Sequence, residues 1–303
     1  MEFQQLKHLL AVAKHGSLMK AAEASHISQS GLSRSIAGLE ARVGVPLLVR
    51  KASGIEFTVY GESILQRATR ILNEVARCRD EVRALESGSA GLIRLGITQN
   101  YALYLMPAML AELRAERPGL VLDVVTGGFM DLVEMVVEGS VDMAFGLLGP
   151  IQPTDELVVE RLREHHSRVI SRSVHPLARA GSVSLDDLSA ARWATLRSHG
   201  FQKNFADFFQ TGGVKKPIQV LTTDSIELMR RFVLDSDVLT VLPADAVLAD
   251  IDAGRLVILP CEVPGEITQL GLMFRAGSYV APQVTLVADR IRAAVTGSAR
   301  NAS

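Results

Sequence analysis

Gln29, Ser30, Ser33 and Arg34 bring an amide, two hydroxyls and a guanidinium into one short stretch. These are groups that hydrogen-bond base edges and phosphate oxygens. Leu32, Ile36, Leu39 and Val43 recur through the same stretch at steps of four, three and four, which keeps one face of a helix in a core. The four polar residues fall off that stripe. A helix held by one face and presenting this set at its N-terminal end is suited to a DNA groove. Glutamine has the paired donor and acceptor that reads adenine, and arginine pairs with guanine or a phosphate. Ser28 stands where it caps such a helix.

Catalytic chemistry finds less support. His165 and His166 are adjacent, so on a strand they point to opposite faces and cannot share a metal. Neither Gly-x-Ser-x-Gly nor a phosphate-binding glycine loop occurs. Cys261 follows Pro260 in an apolar context that does not activate a thiol. No catalytic residue, metal site or cofactor is assigned. One enzymatic alternative stays open, a binding-protein-like enzyme with an accessory DNA-binding arm.

The chain of 303 residues is 48% hydrophobic with net charge −1, enough for a sizeable core and about two domains. Its longest uncharged run, Leu95 to Ala111, falls short of the ~20 apolar residues of a membrane span. No leader pattern opens the chain, and Cys78 and Cys261 make neither a disulfide framework nor a metal clip; a cytoplasmic location with no membrane partner is expected. Residues 1–58 carry a net charge of +3 and the remainder −4, so the basic end is the one with the polar helix.

The neighbouring elements must present that helix. Phe3, Leu6, Leu9, Leu10 and Ala13 predict an amphipathic first helix that His15-Gly16 ends. Ser17 is placed to cap a second, "LMKAAEA", whose Ala21 and Ala22 admit a close neighbour; Ser25 to Ser28 then form a turn with Ile27 as its apolar anchor. Together these make a helix-turn-helix over about Leu18 to Ala37. In "VPLLVRKASGIEFT" the alternation about a Ser-Gly turn predicts a two-stranded wing carrying Arg50 and Lys51 toward phosphate.

From Thr58 to Leu85 there is no proline, and Ile64, Ala68, Ile71, Val75, Cys78, Val82 and Leu85 alternate steps of four and three. That is a heptad seam, which needs either a second copy of the helix or its own domain to cover it. "ESGSAG", Glu86 to Gly91, reads as a hinge.

"GSLMKAAEASHISQSGLSRSIAGLEARVGVPLLVR" followed by "FTVYGE" resembles the DNA-binding domain of LysR-type transcriptional regulators, matched in order from Met1 to about Glu62. Two departures stand out: Ser30-Gly31 where the family usually has Pro-Ala or Ser-Ala, and Leu48-Val49 where an aromatic-acidic pair is common. Gly31 costs about 1 kcal/mol of helix propensity against alanine. The resemblance implies a ligand-responsive regulator with Ser28, Gln29, Ser30, Ser33, Arg34, Arg50 and Lys51 at DNA. It makes the heptad helix a dimerising linker and implies a homodimer, or a dimer of dimers forming a homotetramer, on an inverted-repeat operator, with RNA polymerase as a further partner.

Beyond Gly91, short apolar runs alternate with helical patterns, predicting α/β architecture with largely parallel sheets. Strands are expected at "GLIRLGI", "LVLDVVT", "VDMAFGL", "RWATL", "IQVLTT", "VLTVLP", "GRLVILP" and "QLGLMF". Ligands of such sheets sit beyond the carboxyl ends of strands. "IRLGI" to "LMPAMLAEL", "PGLVLDVVTGG", "GSVDMAFGL", "DSIELMRRFV" and "LTVLP" also follow the order of the LysR-type effector domain, although Ser236-Asp237 replaces its usual Gly-x-Gly. The implied architecture is an N-terminal winged helix-turn-helix (1–58), a linker helix (59–86), a hinge (87–91) and a two-subdomain, periplasmic-binding-protein-like α/β domain (92–303). Its first subdomain takes about 92–163 and 266–303, its second about 164–265. Thr98 stands for the family's hydroxyl at the first strand's end. Gln99, Asn100, Thr126, Gly127, Leu147, Arg197, Ser198, Phe201 and Thr223 are the other expected contacts to a small organic effector, anionic or aromatic.

Overall fold

The protein is described from a computed structural model covering residues 1–51, 54–87, 91–149, 155–261 and 268–298. At the N-terminus lie α1 (Phe3–His15), α2 (Leu18–Ala24) and α3 (Gln29–Val43), then a hairpin of β1 (Leu48–Lys51) and β2 (Gly54–Phe57). Gly16 and Gly44 end α1 and α3 in the left-handed conformation that glycine adopts without a Cβ penalty. Leu32, Ile36 and Leu39 of α3 are buried, with Val12, Ala21 and Leu47 among their companions. Two local expectations fail. Ile27 is exposed, and the turn is closed instead by main-chain bonds, Ile27 N–H to the Ala22 carbonyl at 3.0 Å among them. Ser17 occupies the N-cap of α2, but its side chain makes no capping bond.

Helix α4 (Val59–Ser87) follows. It starts against the hairpin because Gly61 has no side chain: a Cβ there would collide with the Leu47 carbonyl. The heptad stripe then divides. Ala68 is buried and Ile64 packs under the N-terminal domain, so the first turns of the stripe are covered by the chain itself; Ile71, Cys78 and Val82 are exposed and Val75 is half-buried. The Leu85 side chain lies outside the described residues, as do residues 88–90 of the expected hinge.

A second face of α4 is polar and already occupied. Arg70 grips Glu156 through two bonds of 2.6 and 3.0 Å, Asn73 donates to the Glu138 carbonyl at 2.9 Å, and Glu74 accepts from Arg275 at 2.8 Å. One turn on, Arg77 donates to the Val141 carbonyl at 2.7 Å and pairs with Asp142 at 3.0 Å; Asp80 then pairs with Arg94. Steps of three and four set these residues on one side of the helix.

The rest forms two five-stranded sheets. The first has the order β4 (Val121–Thr126), β3 (Leu92–Ile97), β5 (Met143–Leu148), β12 (Thr268–Arg275), β6 (Leu157–His165). It carries α5 (Gln99–Tyr104), α6 (Met106–Glu116), α7 (Phe129–Glu138) and α12 (Pro282–Ser298). The second has the order β11 (Leu256–Ile258), β7 (Ser167–Arg172), β10 (Leu239–Pro243), β8 (Arg192–Leu196), β9 (Ile218–Thr223). It carries α8 (Leu185–Ala190), α9 (His199–Thr211), α10 (Ile226–Leu234) and α11 (Leu248–Asp252). The sheets are mixed rather than largely parallel. β3, β4 and β5 are parallel, as are β8, β9 and β10, while β12, β7 and β11 pair antiparallel with their neighbours. Strands that carry the chain between sheets enter against the direction of the βαβ units. β6 and β7 were not among the expected strands. In β6, Glu160, Arg161, Arg163 and Glu164 interrupt the apolar residues, and the strand is held by pairing with β12 from His165 to Leu157.

Asp142 joins two of these parts, since it also accepts the Arg94 main-chain N–H at 2.7 Å, and it and Arg77 are only 14% and 16% exposed. Removing one member of a part-buried pair strands the other. Asp142→Ala is therefore expected to lower unfolding stability by about 2 kcal/mol in urea titrations. Arg42→Ala, which breaks an exposed pair with Glu2, should cost under about 0.5 kcal/mol.

Candidate nucleic-acid interface and effector cleft

At the N-terminus of α3 the Ser28 hydroxyl accepts the Gly31 N–H and lies 3.1 Å from the Ser30 hydroxyl. Gln29, Ser30 and Arg34 are exposed and Ser33 is half-buried, with the Arg34 Nε reaching back to the Ser30 carbonyl at 3.4 Å. The structure thus gathers Ser28, Gln29, Ser30, Ser33 and Arg34 on one projecting helix end. It also gives Gly31 a local role. An alanine Cβ at 31 would stand 3.1 Å from the capping Ser28 oxygen, so its propensity gain of about 1 kcal/mol works against the cap. In the wing, Lys51 is tied to Glu56 at 2.5 Å across the hairpin, a partner the cation must share with any phosphate. The Arg50 side chain and the tip residues Ala52 and Ser53 lie outside the described residues.

The expected effector contacts fall into two groups, one at the end of each sheet. Thr98, Thr126 and Gly127 follow or end the adjacent parallel strands β3 and β4, and Gly127 N–H bonds to the Ile97 carbonyl at 3.2 Å. Thr98 is 9% exposed and its Oγ1 has no hydrogen-bond partner among the described residues. It fits there because Gly146 of β5 lacks a side chain; a Cβ at 146 would collide with the threonine hydroxyl. Thr126 and Gln99 are exposed, and the Asn100 side chain lies outside the described residues. Leu147 is not in a loop: it belongs to β5 and packs on the first sheet's core.

In the second group, Arg197 N–H bonds to the Thr223 carbonyl at 2.9 Å, and its guanidinium donates to the Thr222 carbonyl at 3.0 Å. Ser198 caps α9 by accepting the Phe201 N–H at 3.3 Å, and the Thr223 hydroxyl accepts the Ser225 N–H at 3.0 Å. Phe201 stacks on Phe205, continuing an aromatic cluster with Phe209 and Trp193. Phe201 thus packs along one side on this cluster, and the Ser198 and Thr223 hydroxyls each accept one local N–H.

Residues not expected from the sequence connect the two groups. Helix α5 leaves Thr98 and touches the turn Ala244–Ala246 that follows β10. Tyr101 of α5 bonds its hydroxyl to His165 Nδ1 at 2.8 Å inside the first sheet's end, whereas Tyr104 packs into the core of the second. Burial raises the Tyr104 hydroxyl above its ordinary pKa, against the pull of the Arg230 guanidinium beside it. Nearby, Asp250, 2% exposed, is held between Arg230 and Arg255, while Arg230 also takes Glu227 through two bonds of 2.8 Å. No local pattern marks Tyr101 or Tyr104, because a tyrosine spaced three residues from another reads only as a helix face. The Cys261 thiol is pushed up to about 11 by burial, away from the lowered values of activated thiols. Among the described residues no cluster of three or more His, Cys, Asp or Glu side chains suits a metal ion, and no helix is long and apolar enough to cross a membrane.

Residues 3–62 match the family described as bacterial regulatory helix-turn-helix protein, lysR family, and residues 86–296 match the LysR substrate binding domain. The chain belongs to the LysR family. This LysR-type transcriptional regulator is 29% identical to the SDS degradation transcriptional activation protein of a Pseudomonas species, over 93% of this chain and 92% of that one. It is also 29% identical to the HTH-type transcriptional regulator PcaQ of Agrobacterium fabrum, over 97% and 94%. The fold is similar to that of the LysR family regulator CbnR, at TM-score 0.67 and 22% identity over 97% of this chain and 99% of that one. It also resembles full-length CbnR complexed with its target DNA, at TM-score 0.66 and 23% identity over 97% and 100%.

The cluster beneath Tyr104 has a pH signature. Arg230 holds the Glu227 carboxyl down to about 2 from 4.5. A carboxyl whose pKa is lower in the folded state adds stability that is complete above its ordinary value and is lost as pH falls toward the lowered one. Urea midpoints followed through Trp193, the single tryptophan, should fall between about pH 4.5 and about pH 2. Glu227→Gln should be less stable than wild type at neutral pH and show a shallower acid loss.

Proposed function

We infer that this LysR-type regulator acts in the cytoplasm as a homodimer or dimer of dimers on an inverted-repeat operator, with a small organic effector in the cleft between its two sheets. One observation carries the DNA reading. The apolar stripe of α3 is buried while Gln29, Ser30 and Arg34 at its start stand free of the core, the presentation a recognition helix needs. Arg34 serves base or phosphate contact at the helix, and Lys51, once exchanged from Glu56, serves phosphate at the wing. The exposed stripe Ile71, Cys78 and Val82 supports the second copy, because the polar face of α4 is already spent on its own chain. Two α3 helices would then meet two half-sites.

For the cleft, the buried unpartnered Thr98 hydroxyl supports an effector oxygen acceptor or donor at the end of β3, and Arg197 supports an anionic group. Effector binding shifts the population toward closed sheets, which alters the packing of effector domains and the spacing imposed on DNA. RNA polymerase is the downstream partner of a regulator placed in this way.

Arg34→Ala is expected to reduce operator preference over random duplex by about 5- to 150-fold. Lys51→Ala should weaken both complexes and lower the salt slope by about 0.9. Footprints and binding isotherms unchanged in both variants would refute the DNA assignment. For the dimer, Val82→Glu places a charge in the proposed seam. Sedimentation should show wild type as a dimer or larger and the variant shifted toward monomer; equal distributions would remove the seam. A thermal-shift screen of small organic acids and aromatics tests the cleft, where any stabilising compound should lose its effect in Thr98→Val.

A further inference from the structure

The back of α3 is fastened to α1 by polar groups. His8 is buried, with Nδ1 2.7 Å from the Ser35 hydroxyl and Nε2 3.0 Å from the side-chain nitrogen of Gln4. Gln5, also buried, donates to the Ser35 carbonyl at 3.4 Å and accepts the Glu2 N–H at 3.0 Å. Gly38 allows this approach, since a Cβ there would lie only 3.2 Å from the Gln5 amide nitrogen. Ser35 and Gly38 share a face of α3 that is neither the apolar stripe nor the side of Ser30, Ser33 and Arg34.

With the Gln4 amide nitrogen turned toward it, Nε2 accepts and the ring's one proton sits on Nδ1, facing the Ser35 hydroxyl. A second proton requires the exposed Gln4 amide to turn its oxygen to Nε2 and places a charge where burial disfavours it. Burial alone holds the His8 pKa below its ordinary 6.5. Among the described residues, the charged side chains of the surrounding helices lie elsewhere. Glu2, Lys7 and Lys14 of α1 and its flank, Lys20 and Glu23 of α2, Arg34 and Arg42 of α3, and Glu62 and Arg67 of α4 are exposed. Glu40 turns to the Leu47 and Leu48 N–H groups.

We propose that His8 and Ser35 are a positioning pair for operator recognition: the neutral imidazole fixes the rotation of α3 about its axis, and its protonation loosens base readout while leaving phosphate contacts in place. The asymmetry follows from geometry. Paired hydrogen bonds to a base edge fail with small rotations of the helix, whereas long cationic side chains follow a phosphate.

This inference rests on the DNA-binding reading above, and the test separates the two. An inverted repeat selected by the full-length protein from random duplexes, and a scrambled duplex, are titrated by fluorescence anisotropy between about pH 8 and about pH 5.5, spanning the ordinary imidazole range. Circular dichroism at each pH verifies folding. The wild-type operator-to-scrambled affinity ratio should fall about tenfold toward acid while scrambled affinity is unchanged or higher. His8→Gln, neutral throughout, should keep a flat ratio, and Ser35→Ala should start about threefold or more below wild type at pH 8 with little further fall. A wild-type ratio flat in pH overturns the pair, as does a His8→Gln or Ser35→Ala protein that titrates like wild type. If His8→Gln does not fold, Ser35→Ala decides. Equal affinity of wild type for both duplexes at pH 8 instead defeats the DNA reading, and this inference with it.

Discussion

The arrangement depends on the two-sided use of α4. Its 29 residues carry a polar face bound at Arg70, Asn73, Glu74, Arg77 and Asp80 to the first sheet and its loops. An exposed charge pair contributes little alone, but several on one helix face, some part-buried and combined with bonds to main-chain carbonyls, hold the helix in one register. The DNA-binding end is thereby placed with respect to the first sheet, and the apolar stripe faces away from that contact. What the chain leaves uncovered after its polar face is satisfied is the surface available for a second copy.

At the other end of the first sheet, α5 carries the connection to the second. Its two tyrosines divide between the sheets, Tyr101 bonded to His165 and Tyr104 lodged beside the ion-pair cluster of Arg230 and Asp250. Thr98, where α5 begins, has a buried hydroxyl with no partner among the described residues. A buried hydroxyl without a bond costs free energy, and the proposed effector contact rests on that cost. The same short helix therefore touches Thr98, the crossover at His165 and the second sheet.

Much was legible in the one-dimensional pattern where periodicity and end signals agree. The stripe of α3, the Ser28 cap, the hairpin and the long α4 follow from spacing that needs no distant partner. β6 was not legible, because charged residues interrupt its alternation and its pairing with β12 lies a hundred residues away in sequence. Phe201 and Ser198 follow a strand, and the structure adds what spacing does not show, the stacking of Phe201 on Phe205 and the capping of α9 by Ser198. Ile27 looked like an anchor only because it was the apolar residue of its turn.

The amino-acid order alone determined the helix-turn-helix, its polar face and the family resemblance, since each rests on residues close together along the chain, where helix geometry converts spacing into a shared face. Tertiary structure decided what each face meets. It spent the polar side of α4 on the first sheet, divided the tyrosines of α5 between two cores, and set His8 against Ser35 behind the recognition helix. Those outcomes depend on which surfaces approach within hydrogen-bond distance after folding, and side-chain partners that far apart in the chain leave no local period to read.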